Sequence, residues 1–111
     1  MDISFADKKL AKTCNSEKAL VKAYGKPNAR KIMLRLTLLA AAAALADVPV
    51  TPPTRRHELK GDRKGQFAID VQHPFRIVFQ PAHNPVPMKE DGGIDLDAVT
   101  TIEIVTIEDY H

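Results

Sequence analysis

Two stretches of strict alternation constrain this chain more than anything else in it. Gln66 to Gln72 places Phe67, Ile69 and Val71 on one side, and Phe75 to Gln80 does the same with Phe75, Ile77 and Phe79. A period of two over such lengths is the mark of strands with one covered face and one open face, and of antiparallel pairing. His73-Pro74 supplies the turn between them. Parity then fixes what the open face carries. If the phenylalanines and isoleucines are covered, Ala68, Asp70 and Arg76 point the other way. An arginine in mid-strand on an open face is available to a ligand, although a structural bridge from Arg76 to Asp70 across that face is an equally good reading.

The rest of the chain supplies the cover. Residues 2–6 read as a short strand with Ile3 and Phe5 on one face. Asp7 caps a helix from Lys8 to about Tyr24, with Gly25 as its stop, and Asn15-Ser16 offers a break and a second cap within it. Pro27 suits the first turn of a second helix, Pro27 to Ala46. That helix has two apolar stripes, Ile32, Leu36, Leu39 and Ala43 on one side and Leu34, Leu38, Ala41 and Leu45 on the other, so it packs on two elements. Its early turns carry Arg30, Lys31 and Arg35, against the macrodipole, which reads as solvated charge unless a partner uses it. Asp47 to Thr54 holds three prolines and forms a linker. Arg55 to Lys60 reads as a strand, Gly61 to Gly65 as a turn, and residues 81–99 as a long, mobile insertion between strands. The last strand, Thr100 to Ile107, changes parity. Ile102 and Ile104 share a face, but Val105 and Ile107 have the other parity, which calls for a bulge near Thr106 or burial of both faces. A strand, two helices and then strands only predicts an α+β domain, with two N-terminal helices packed on one face of a small antiparallel β-sheet.

At 111 residues the chain is one domain, 1–111, with the insertion at about 81–99. Hydrophobic content of 44% with 27% charge excludes a disordered chain. Cys14 alone excludes an internal disulfide and a cysteine zinc site, and it reads as a buried structural thiol. No signal peptide is evident at Met1-Asp2-Ile3-Ser4-Phe5, and the apolar run Leu36 to Ala46 is too short to span a bilayer, so a cytoplasmic protein is expected. The net charge of +2 conceals an asymmetry: all 16 basic residues lie at or before Lys89, whereas half of the 14 acids lie beyond it. A basic body attracts an anionic partner. The acidic end either offsets that attraction locally or docks on the body.

The final residues, Asp109-Tyr110-His111, put three proton-handling or hydrogen-bonding groups at the edge of the last strand. With His57, Lys60 and Arg76 they make a metal-independent ribonuclease set. RNA brings its own nucleophile, the 2′-hydroxyl. Cleavage needs a base, an acid for the departing 5′-oxygen, and cations on the phosphate. Histidine suits either proton task, Arg76 and Lys60 suit the phosphate, and Tyr110 suits stacking on a base. Arg55, Arg56, Arg63 and Lys64 are further candidate RNA contacts. Each has a plainer reading: His57 as a surface histidine, and Lys60 to Lys64 as a solvated turn. A metal site from His57, Asp109 and His111 has no spacing signature behind it.

At these residues the chain resembles the HigB-type killer toxins of the RelE/ParE superfamily. The matching stretches are His57-Glu58-Leu59-Lys60-Gly61-Asp62-Arg63-Lys64-Gly65-Gln66-Phe67-Ala68-Ile69, then Phe75-Arg76-Ile77-Val78-Phe79, then Glu108-Asp109-Tyr110-His111. The helical half fits more loosely. The resemblance implies a toxin of a type II toxin–antitoxin pair, an endoribonuclease that cuts mRNA in the ribosomal A site without metal or cofactor. It also implies a HigA-type helix-turn-helix antitoxin, through which alone operator DNA is met. By position, His57 and Asp109 become candidate bases, His111 a candidate acid, Lys60 and Arg76 phosphate ligands, and Tyr110 the group that positions the base. Two departures stand out. The chain has no tryptophan, where the family commonly has one near Phe75, and the 81–99 insertion is longer than in the shortest members. The insertion's acids, Glu90, Asp91, Asp95 and Asp97, are expected to lie to one side of an RNA site. The competing expectations are a non-catalytic relative that binds gyrase or an antitoxin, and a free-standing ribonuclease.

Overall fold

The computed structural model describes residues 1–110; His111, one of the candidate residues, lies outside the described residues. The strands are β1 (Asp2–Phe5), β2 (His57–Glu58), β3 (Phe67–Asp70), β4 (Phe75–Pro81) and β5 (Thr101–Asp109), and the helices are α1 (Lys8–Cys14), α2 (Glu17–Tyr24) and α3 (Lys26–Ala41). The result is an α+β fold with three helices and one five-stranded sheet in the order β1-β5-β4-β3-β2.

The N-terminal helical region divides where Asn15-Ser16 offered a break. Asp7 caps α1 by accepting from the Leu10 N–H at 2.7 Å, and Ser16 caps α2 by accepting from the Ala19 N–H at 3.1 Å. Each short polar side chain satisfies a helix-end donor, so two short helices replace the first long one expected. The next helix is shorter than expected: α3 stops at Ala41, and Leu45–Asp47 forms a single 3₁₀ turn instead of a last helical turn. The Leu45 N–H donates to the Val99 carbonyl at 2.9 Å, which takes the chain out of the helix and onto the far end of the insertion.

The sheet is mixed, not antiparallel throughout. β1 pairs parallel to β5, with Ile3 opposite Ile102 and Phe5 opposite Ile104, while β2, β3, β4 and β5 alternate in direction. The helices that follow β1 allow this, since a parallel neighbour needs a long connection. The parity expected from the sequence holds. Phe67, Ile69, Val71, Ile77, Phe79, Ile102, Ile104 and Ile107 form one core with Leu20, Ala29, Ile32 and Leu39 of the helices. On the opposite face Leu59, Ala68 and Val78 form a small second cluster, with Val105 against it.

The change of parity in β5 is a bulge. The register steps from Val78 opposite Thr106 to Phe79 opposite Ile104, leaving Val105 as the extra residue. One added residue lets Ile104 and Ile107 both face the helices despite their odd spacing. It also turns Glu108 onto the open face.

The insertion is folded. Met88 bridges to Ile94, Leu96–Ala98 makes a 3₁₀ turn, and Val99 is buried. It packs at the Gln80 end of β4, where Lys64, Gly65, Gln80, Val86, Met88 and Ile94 line a cavity of about 550 Å³. Arg76 is four residues away along the strand, about 13 Å at strand rise. Glu90 and Asp91 of the insertion are exposed, and Asp91 lines that cavity.

Candidate functional site

The open face is ordered by the register of β2 to β5. One row holds Asp70, Arg76 and Glu108 on adjacent strands, and the next holds His57, Ala68, Val78 and Thr106. His57 and Arg76 are thus two strands and two residues apart, about 10 Å sideways and 7 Å along the sheet. Ala68 and Val78, in the row of His57, form an apolar floor with Leu59 and Val105 packed against them.

His57 is exposed on a two-residue edge strand, and its Nδ1 lies 2.9 Å from the Arg55 carbonyl oxygen. A carbonyl only accepts, so this contact assigns Nδ1 as the donor, and in the neutral form of such a ring Nε2 is the nitrogen left to accept. That is the tautomer a proton acceptor requires. The short β2 is held in line by the turn after it. Gly61 and Gly65 take φ of +69° and +94°, and the Gly65 N–H donates to Glu58 Oε2 at 3.2 Å. Lys60 is exposed at the start of this turn, which its carbonyl closes by accepting from the Arg63 N–H at 3.4 Å.

Arg76 is held flat on the sheet. Its Nε and Nη2 donate to Glu108 Oε2 at 3.0 and 2.8 Å, and its Cζ lies 4.9 Å from the centre of the Tyr110 ring. The Tyr110 ring also stands edge-on to His73 at 6.4 Å, and its N–H donates to the Pro74 carbonyl at 3.3 Å. Tyr110 is therefore held over the arginine by the β3–β4 turn. Asp109 is exposed and shares the row of Phe75, so its parity sets it away from the Arg76–Tyr110 face. A metal site using His57, Asp109 and His111 would depend on His111, outside the described residues.

The bridge between Arg76 and Asp70 does not form, although the two residues are direct cross-strand partners. Asp70 is taken by Arg55 at 2.7 Å, and its carbonyl accepts from Arg35 Nε at 3.1 Å. Arg35 is thus not a solvated charge: it ties α3 to β3. Arg56 donates through Nε to the Val48 carbonyl at 2.9 Å, and burial lowers its pKa. Of the four flanking basic residues, Arg55 and Arg56 hold the 47–56 segment in place. Arg63 turns inward over the floor, and Lys64 faces the cavity beside the insertion.

Glu108 is the member of this site that the sequence reading missed. Arg63 donates to it through Nη1 and Nη2 at 3.0 and 2.9 Å, alongside the two bonds from Arg76. The Arg63 hydrogen bonds, reinforced by those from Arg76, hold the Glu108 carboxyl below the usual carboxylate range against a smaller opposing effect of burial. The signal was present in the parity change of β5. A bulge before Ile107 sets Glu108, not Asp109, beside Arg76.

The fold is shared with solved toxins. The chain is similar to a YoeB/ParE toxin from Agrobacterium tumefaciens, at 12% identity and TM-score 0.57, with all of both chains covered. It is also similar to YoeB from Staphylococcus aureus in two structures. One is a YoeB–YefM complex, at 14% identity and TM-score 0.56; the other is a YoeB dimer, at 17% identity and TM-score 0.54. Each comparison covers all of this chain and 97% of the other. No protein-family model matches the chain, and no curated protein matches it. The class that fold and likeness define is the YoeB/ParE toxin fold; the HigB-type resemblance stays at the level of the motifs that carry it.

Proposed function

We propose that this chain is the toxin of a toxin–antitoxin pair and acts as a ribosome-dependent mRNA endoribonuclease of the HigB type. The observation that carries the reading is the open face itself: Arg76 lies under the ring of Tyr110, with the exposed His57 two strands away in the neighbouring row, on a fold shared with toxins. In this reading His57 takes the 2′-hydroxyl proton through Nε2. Arg76 holds the scissile phosphate and neutralises the charge that grows on it. Tyr110 stacks on a neighbouring base. His111, next in sequence to Tyr110, protonates the departing 5′-oxygen, and Lys60 adds a cation from the turn. No metal or cofactor enters the scheme.

The ribosome is part of the reading for a physical reason. Binding of free RNA rests on many phosphate contacts. Here Arg55 and Arg56 are engaged elsewhere, so the open face itself offers few cations to naked RNA. mRNA already held in the ribosome needs only a few contacts. A protein partner is supported by the YoeB–YefM complex among the structural neighbours, and the HigA-type helix-turn-helix antitoxin is proposed for that place.

The second reading, a binding-only toxin or inactive relative, is favoured by one observation: Glu108 neutralises part of the arginine charge. Alanine variants at Lys60, Arg76 and Tyr110 decide between the two. Each is expected to lose mRNA cleavage in a purified translation system while remaining folded. Undiminished cutting by all three would sink the role assignments.

A further inference from the structure

Glu108 has no task in the proposed reaction, yet it is the most heavily engaged side chain on the open face. Four N–H groups from two guanidiniums end on its two oxygens. Arg63 also reaches Gln66 Oε1 through Nε at 3.4 Å, which fixes the plane of its fork. Two planar forks converging on one small anion is the donor arrangement that suits a phosphate group. One carboxylate cancels one of the two arginine charges, so the cluster keeps a net positive charge. The cradle also lies beside Tyr110, where a nucleotide base would stack. The Glu108 side chain is 24% exposed, so solvent reaches the seat.

We propose that Glu108 is a built-in competitor of RNA: its carboxylate occupies the seat of a backbone phosphate between Arg63 and Arg76, and RNA must displace it. The identity of the ligand rests on the RNA-cleaving reading; the exchange itself does not, because any phosphate oxyanion reports it. The competitor carries the same single charge as a phosphodiester. Free RNA must therefore win the seat from an anion already tethered there, whereas mRNA held in the ribosome competes at high effective concentration. Glu108 acts through the two arginines and is a positioning residue.

The test is a titration of wild-type protein, Glu108→Gln and the double variant Arg63→Gln/Glu108→Gln. The probes are inorganic phosphate and a trinucleotide with every 2′-hydroxyl methylated, which cannot be cut. Binding is followed by calorimetry and by the arginine Nε–H signals in NMR. Glu108→Gln is expected to bind both probes on the order of tenfold more tightly than wild type. The double variant is expected to lose that gain. Equal affinity of wild type and Glu108→Gln overturns the proposal, and a gain for phosphate without one for the trinucleotide overturns its assignment to RNA. Should Glu108→Gln fail to fold, Glu108→Asp, whose carboxylate reaches less far, is expected to bind phosphate more tightly than wild type, and equality there counts equally against the idea. Cleavage is not read in this titration. The RNA-cleaving reading fails when mRNA in translating ribosomes stays whole, whatever the titration gives.

Discussion

Arg76 was legible as an open-face residue from the parity of Phe75, Ile77 and Phe79 alone. Its partner was not. Cross-strand position favoured Asp70, but the strand expected over Arg55 to Lys60 shrinks to His57–Glu58, and Arg55, in left-handed backbone with φ of +51°, leaves it and swings onto Asp70. Such a contact has no period to read. Arg76→Ala is expected to cut the rate of mRNA cleavage by about 100-fold or more, the scale for losing one donor to a charged transition state, as measured by single-turnover cleavage on programmed ribosomes. His57→Gln is expected to cost a similar factor or more, because glutamine offers no base. Cys14 behaves as a structural thiol, though it is half-buried, not fully buried. Burial pushes its pKa up to about 11, so alkylation by iodoacetamide at pH 8 is expected to be far slower than for an unfolded control, and equal rates would contradict the packing around it.

Glu108 gives a pH prediction of defined sign. Its folded-state pKa is depressed, chiefly by the Arg63 hydrogen bonds. Such a group stabilises the fold above its unfolded pKa, and the contribution is lost as pH falls through the folded value. Wild type is therefore expected to be more stable than Glu108→Gln at pH 7, by about 1 kcal/mol or less because the ion pairs meet solvent. Denaturation curves of the two are expected to converge as pH drops below about 4. A gap that widens in acid would contradict the assignment.

At the scale of elements, the strands were legible because their cover is one-sided, and the bulge because a fixed period was broken at one residue. The end of α3 and the parallel pairing of β1 were not. The alanine-rich run 40–44 carries no stop signal of its own, and the helix ends where Leu45 is taken up by Val99. Strand direction is set by connections, which the residues of a four-residue strand do not encode. The buried Asn28 joins the layers: its side-chain oxygen accepts from the Gln72 N–H at 3.1 Å, fixing the start of α3 to the β3–β4 turn. Asn28→Ala would leave that N–H unsatisfied and is expected to cost about 1–3 kcal/mol in urea denaturation. Because the same turn holds Tyr110, the variant is also expected to weaken cleavage more than its stability loss explains.

Over the whole molecule, the charge asymmetry seen in the sequence becomes a contact: an acid of the C-terminal strand is docked on two arginines of the basic body. Part of the insertion, Asp91 among its acids, lines the cavity at the Gln80 end of β4. Among the described residues no helix is long and apolar enough to cross a membrane. The fold class was legible because patterning dictates layers. The expectations of a ribosome and a HigA-type antitoxin come only through the motif resemblance, since a shared fold does not carry a function with it.

The central claim is that this open face cuts mRNA only where the ribosome presents it. Primer extension on a reporter mRNA in a purified translation system tests it directly, with wild-type protein and Arg76→Ala, each with and without ribosomes. Cuts that require both ribosomes and Arg76 are the predicted result. Intact mRNA with soluble, folded wild-type protein, or equal cutting by Arg76→Ala, would contradict the account.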